Sequence, residues 1–229
     1  MKYFIFILGL LTFMISCTPP VVFDKAYPVG EDDLYQFPVE YQGAFICESD
    51  SSIIVIDQST IYNRKERFFR LPLKDVEEKE NCMIVEDKMF VDNRKECIPI
   101  VFESDSTVRG TVIEVDTIFN ISEESVVRLY NGHLVLSQKM DLDKWSVNLL
   151  TLQDNSDVMY RAITDKTEIR SVSSTTPTEK LESKRRNAPK YRVKPTMAEF
   201  DKLINNEKIF VDCDYLKRVN LEQKFLFIN

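Results

Sequence analysis

The chain has little of several things, and each shortage removes a class of activity. It holds five glycines in 229 residues, and no glycine-rich run of the kind that wraps a phosphate or a dinucleotide, which rules out those nucleotide-binding loops. Its single histidine, His133, cannot build a multi-histidine metal site, and no cysteine pair has the close spacing of a zinc knuckle. Neither a GxSxG elbow nor an SxxK motif with a fitting context is present, so nucleophilic hydrolysis has no recognisable centre. Positive charge is also short: 30 Lys+Arg against 37 Asp+Glu leave −7, which argues against nucleic acid as a partner. What remains is 44% hydrophobic and 11% aromatic, enough for a packed core of one domain or two small ones.

A long apolar run occurs only at the start. Lys2 is followed by uncharged, mostly apolar residues 3–16, then Cys17, Thr18, Pro19 and Pro20. As a helix the run would reach roughly 21 Å, short of the roughly 30 Å hydrocarbon core, and the prolines forbid lengthening it. It reads as a secretory signal peptide over residues 1–16. Met14-Ile15-Ser16-Cys17 resembles the lipobox of bacterial lipoproteins. That resemblance implies cleavage before Cys17, a diacylglycerol on its sulfur and an acylated new amino terminus, hence a membrane partner through lipid on Cys17. Each buried CH₂ contributes roughly 0.8 kcal/mol, so two or three acyl chains hold a protein on a bilayer almost permanently. Thr18 stands where that family places aspartate for inner-membrane retention, and no acidic run follows the cysteine. The resemblance therefore implies an outer-membrane anchor with the protein facing the periplasm.

Residues 17–42 read as the lipidated cysteine and an extended tether, because Pro19, Pro20, Pro28, Pro38 and Gly30 oppose regular structure. Residues 43–163 read as an antiparallel β domain. Apolar or β-branched runs at 44–47, 52–56, 60–62, 68–73, 82–85, 89–91, 98–102, 108–119, 126–130, 133–137, 145–152 and 158–163 alternate with polar turns. Asn131-Gly132 predicts a type I′ hairpin. Clean alternation over 145–149 predicts one face on a core and the other in water. The expected fold is mainly β, an antiparallel sandwich or barrel-like sheet with a C-terminal α-helix.

Residues 164–229 change character. Asp165 and Glu168 have capping-box spacing for a short helix through Val172, and 173–189 reads as a polar loop. Thr196, three residues before Glu199, starts a better helix whose Met197, Phe200, Leu203 and Ile204 share a face. It is expected to pack on the sheet, with 209–227 returning as strand or beneath the helix.

The stretch from Phe37 to Phe45 and the tail Pro195-Thr196-Met197-Ala198-Glu199-Phe200 with Cys213-Asp214-Tyr215 are similar to envelope lipoproteins of Bacteroidota-type bacteria, a family with no activity to transfer. Gly43-Ala44-Phe45 resembles the opening of lipocalin-like barrels, although those usually carry tryptophan in place of Phe45.

Four cysteines remain beyond Cys17. In an oxidising compartment Cys47, Cys82, Cys97 and Cys213 permit three pairings, of which Cys82 with Cys97, bracketing a hairpin, is the favoured one; the alternative is four small buried hydrophobes. His133 reads as structural. Acid pairs such as Asp141 with Asp143 and Glu123 with Glu124 read as solvated surface, and no metal or cofactor is expected. Charge inverts locally between residues 179 and 194, where Lys180, Lys184, Arg185, Arg186, Lys190, Arg192 and Lys194 outnumber Glu179 and Glu182. That segment either meets an acidic envelope protein or anionic lipid, or keeps a loop solvated. The sequence thus points to an anchored cell-envelope binding or structural module and not an enzyme, with a lipocalin-like carrier of a hydrophobic ligand as the alternative and a carboxylate-using envelope hydrolase behind both.

Overall fold

The computed structural model describes residues 19–78, 82–91, 97–182 and 189–220. Cys17 and the basic trio Lys184, Arg185 and Arg186 lie outside them. In chain order the elements are β1 (Val21–Phe23), β2 (Gly43–Cys47), β3 (Ile53–Ile56), β4 (Thr60–Pro72), α1 (Leu73–Glu77), β5 (Cys82–Val85), β6 (Lys88–Val91), β7 (Ile98–Ser104), β8 (Thr107–Asn120), β9 (Ser125–Tyr130), β10 (His133–Asp141), β11 (Lys144–Leu152), β12 (Val158–Ala162), α2 (Ile169–Thr175), β13 (Thr178–Lys180), β14 (Tyr191–Val193), α3 (Met197–Ile204) and β15 (Val211–Val219). The protein is mainly β, with the expected C-terminal helix at α3.

The strands form one branched sheet. Its main path runs β9-β10-β11-β12-β15-β2-β3-β4-β8-β7-β6-β5, and β1-β14-β13 branches from β11. The pairings are antiparallel except β1 with β14. The sheet does not close into a barrel. Residues 34–37 cross the opening instead: Leu34 N–H donates to Val127 O and Phe37 N–H to Gln58 O, both at 2.8 Å. Phe37 thereby joins Phe45, Ile56, Phe119, Leu134, Leu136 and Leu150 in a core on the concave face.

A second core lies on the opposite face of β10 and β11. Val135, Val147 and Leu149 meet Phe23, Tyr27, Val193, Phe200, Leu203, Ile204 and Phe210 there. Both faces of this hairpin are therefore buried, correcting the expectation that residues 145–149 wet one side. Alternation remains, but each parity serves a different core. The separate β9–β10 hairpin turns where expected, with Asn131 at φ 48° and Gly132 at φ 78°, the two positive angles a type I′ turn demands.

Three further expectations change. Residues 19–42 are not a free tether: Val21, Val22, Phe23, Tyr27, Phe37 and Tyr41 are buried, because β1 completes the wall over the second core and 34–41 cover the open side. The separate strands expected at 60–62 and 68–73 are one strand of 13 residues, since the charged run between them pairs continuously with β8. Within the polar stretch, Thr178–Lys180 pairs with Tyr191–Val193 as a small hairpin.

At the N-terminus of α3 the Thr196 hydroxyl accepts from Glu199 N–H at 3.3 Å, and the Glu199 carboxylate accepts from Thr196 N–H at 2.7 Å, the reciprocal cap its spacing predicted. The shorter helix α2 begins one turn later than expected, at Ile169, without a side-chain cap from Glu168.

Candidate functional site

Two surfaces stand out, at separate places in the fold. The first is the β13–β14 hairpin beside the chain's entry into β1. Lys190 N–H and Tyr191 N–H both donate to Pro20 O, at 2.9 and 3.0 Å, and β14 then runs parallel to β1. Strand alternation turns Tyr191 and Val193 toward the second core, and Lys190, Arg192 and Lys194 to the other face. Arg192 is held by both Asp143 and Glu179, the latter at 2.7 Å. Two carboxylates thus engage the Arg192 charge within the fold. Lys180, Lys190 and Lys194 are exposed and make no ion pair among the described residues. Leu181 N–H donates to Lys190 O at 2.8 Å, adding one bond beyond the β13–β14 pairs, and the exposed Glu182 follows it.

The second surface is a ribbon that leaves the body. Ile61 and Phe119 belong to the first core; beyond Arg64, where β3 stops pairing with β4, β4 and β8 continue as a two-stranded arm until β7 joins β8 at Gly110, and the whole of β4 spans roughly 44 Å. At its far end α1, β5, β6 and β7 pack a small head around Val76, Met89, Ile98, Ile100 and Val108. Gly110 lies beneath the Phe69 ring, where a Cβ would come within 2.5 Å of it; glycine permits that close packing.

The two faces of the arm differ. On one, Lys65 pairs with Asp116 at 2.6 Å and Arg67 with Glu114 at 3.1 Å. On the other, the register places Phe68 beside Thr111, Glu66 beside Ile113 and Arg64 beside Val115, with Val101 next to Arg109. Phe68 is 63% exposed, Val101 55%, Val115 54% and Ile113 48%. Phe68, Val101 and Ile113 line a groove of about 690 Å³ with Pro99 and Thr111, edged by the pairs Arg64–Glu66 at 3.1 Å and Arg70–Glu103 at 2.5 Å. Sequence reasoning missed this surface because β4 read as two strands. The alternation of Arg64, Glu66 and Phe68 against β-branched residues of β8 was its available signal.

The remaining sequence candidates have structural roles. No disulfide joins the cysteines at 47, 82, 97 and 213. Cys82 lies on β5 and Cys97 adjoins β7, with β6 between them. That separation, two strand spacings or about 9.6 Å, exceeds the roughly 7 Å Cα limit for a bridge, so the favoured pairing is corrected. Burial pushes the Cys47 thiol up to about 11. His133 is buried, with Nδ1 2.7 Å from the Thr151 hydroxyl; burial, then the nearby Arg161 charge, lowers its pKa.

Asp141 pairs with Lys144 and Asp143 with Arg192, and Glu124 pairs with Lys139. Among the described residues no group of His, Cys, Asp and Glu is placed to hold a metal. Asp157 is buried in the 153–157 turn. Desolvation acts to raise its pKa, but bonds from Arg218 N–H at 2.7 Å, the Tyr215 hydroxyl and Asn155 outweigh it and hold the carboxyl low. Arg218 also donates to Gln42 O, Glu40 O and Ser156 O and lies 4.7 Å over the Phe45 ring. This network ties the 153–157 turn and residues 40–42 to β15. No described helix is long and apolar enough to cross a membrane. Comparison with protein-family models, curated proteins and solved structures gives no match.

Proposed function

We propose that the protein is a lipid-anchored component of the cell envelope, held in the outer membrane through Cys17 and facing the periplasm, which works as a non-catalytic binding module. The exposed apolar row Phe68, Val101, Ile113 and Val115 carries this reading. Exposed apolar side chains gathered on one face of an extended arm are a feature of interaction sites, since solvation alone gives no reason to place them there. The lipobox-like leader supports the anchor, and the acyl chains require no apolar helix. The carrier reading draws less support, because Phe37, Tyr41, Phe45 and Phe119 fill the concave interior that a ligand would occupy.

The test is a photo-crosslinking amino acid at Phe68 of the full chain in living cells, compared with one at Lys74. A discrete adduct from position 68, absent from position 74 and lost on Ile113→Asp, is the expected result. Equal or absent crosslinking at both positions rejects the groove as the binding surface. Intact mass of the membrane-extracted protein tests acylation at Cys17 separately.

A further inference from the structure

The Pro20 carbonyl is bonded to the hairpin's own backbone, as described above, so the chain enters the folded body beside Lys190. Cys17 stands only three positions earlier, and three residues of extended chain reach at most roughly 11 Å. Resting on the anchor reading, we infer that the β13–β14 hairpin lies on the anionic phospholipid surface of the bilayer that holds Cys17, with Lys190 and Lys194 as its phosphate-facing cations.

Charge selects this face. Within the described hairpin Arg192 is engaged by Asp143 and Glu179, which also removes Glu179 as a repulsive group and leaves Glu182 as its acid. Lys190 and Lys194 stand on the face opposite the second core, whereas Lys180, paired with Tyr191, points to the other side of the hairpin. A polybasic surface near an anionic bilayer gains about fivefold in binding per lysine, so removing both charges predicts a loss of about 25-fold, and reversing them a larger one. Those contacts fade within about 8–10 Å as salt screens them, a range the short leash does not exceed by much. A longer tether would allow any orientation; this one confines the hairpin to the interfacial zone.

The experiment uses full-length acylated protein in vesicles of phosphatidylethanolamine and phosphatidylglycerol, with lysine acetylation followed by peptide mass spectrometry. Lys190 and Lys194 are expected to label several-fold more slowly than on phosphatidylcholine vesicles, while Lys74 and Lys88 on the head label equally on both. Equal labelling of Lys190 and Lys194 on the two vesicle types overturns the inference. The anchor is tested apart from this by the mass of Cys17. With Cys17→Ala, sedimentation on the anionic vesicles must fall on Lys190→Glu and Lys194→Glu together; unchanged sedimentation overturns the docking surface whether or not the native cysteine is acylated.

Discussion

The body and the head are built from the same kind of strand but hold themselves together differently. In the body, β10 and β11 are a common wall between two cores, with Leu149 facing one and Leu150 the other. Aromatic rings add to the contact: Phe23, Tyr27 and Phe200 meet at centroid distances of 5.1–6.0 Å, worth about 0.5–1.5 kcal/mol per pair beyond burial. Among the described residues the head has five buried core residues against fourteen in each body core, and its link to the body is the β4–β8 ribbon. A small core joined through a solvated two-stranded arm opens independently, whereas two cores with a shared wall melt together.

The largest effect comes from the wall. Leu149→Ala should cost about 2–5 kcal/mol and lower the melting temperature by on the order of 10 °C. Circular dichroism and tryptophan fluorescence, which reports Trp145 beside the second core, should shift together; separate transitions would break the shared-wall account. Smaller in global reach is Ile100→Ala in the head. It should speed amide hydrogen exchange of β5, β6 and β7 at least about tenfold and leave exchange in β10 and β11 unchanged. Equal acceleration in the body would make head and body one cooperative unit.

The smallest effect is a pH dependence confined to the body. The native pKa of His133 lies below its ordinary value of 6.5, so between the two values the unfolded state binds more protons. Stability is therefore full above about pH 6.5 and falls as the solution is acidified through that range. His133→Gln should flatten this slope in denaturant titrations, with head exchange insensitive to the change; an unaltered slope would assign it to other groups.

How much of this was legible in sequence depended on the range of the interactions. Thr196 with Glu199 and Asn131 with Gly132 are local devices, readable because both partners lie within three residues. Val21-Val22-Phe23 was hidden by the prolines around it: a three-residue strand acquires its meaning from Trp145 and Tyr191, which are remote in the chain. Charge counting gave Arg192 to the basic patch, since composition cannot say that Asp143 folds back onto it. The apolar arm escaped notice for the opposite reason to the wall. Its alternation was present, but the charged partners of Phe68 made the segment look like a turn.

The placement of β15 has a consequence for the order of assembly. This strand is made late, yet it occupies an interior lane of the sheet between β12 and β2, and its Arg218 reaches Gln42 O across 176 positions of sequence. Until it arrives, β2 and β12 both present open edges and the early part of the chain has no finished sheet to join. The long-range pairing of the body therefore waits on β15, and the sheet locks only when that strand has taken its lane.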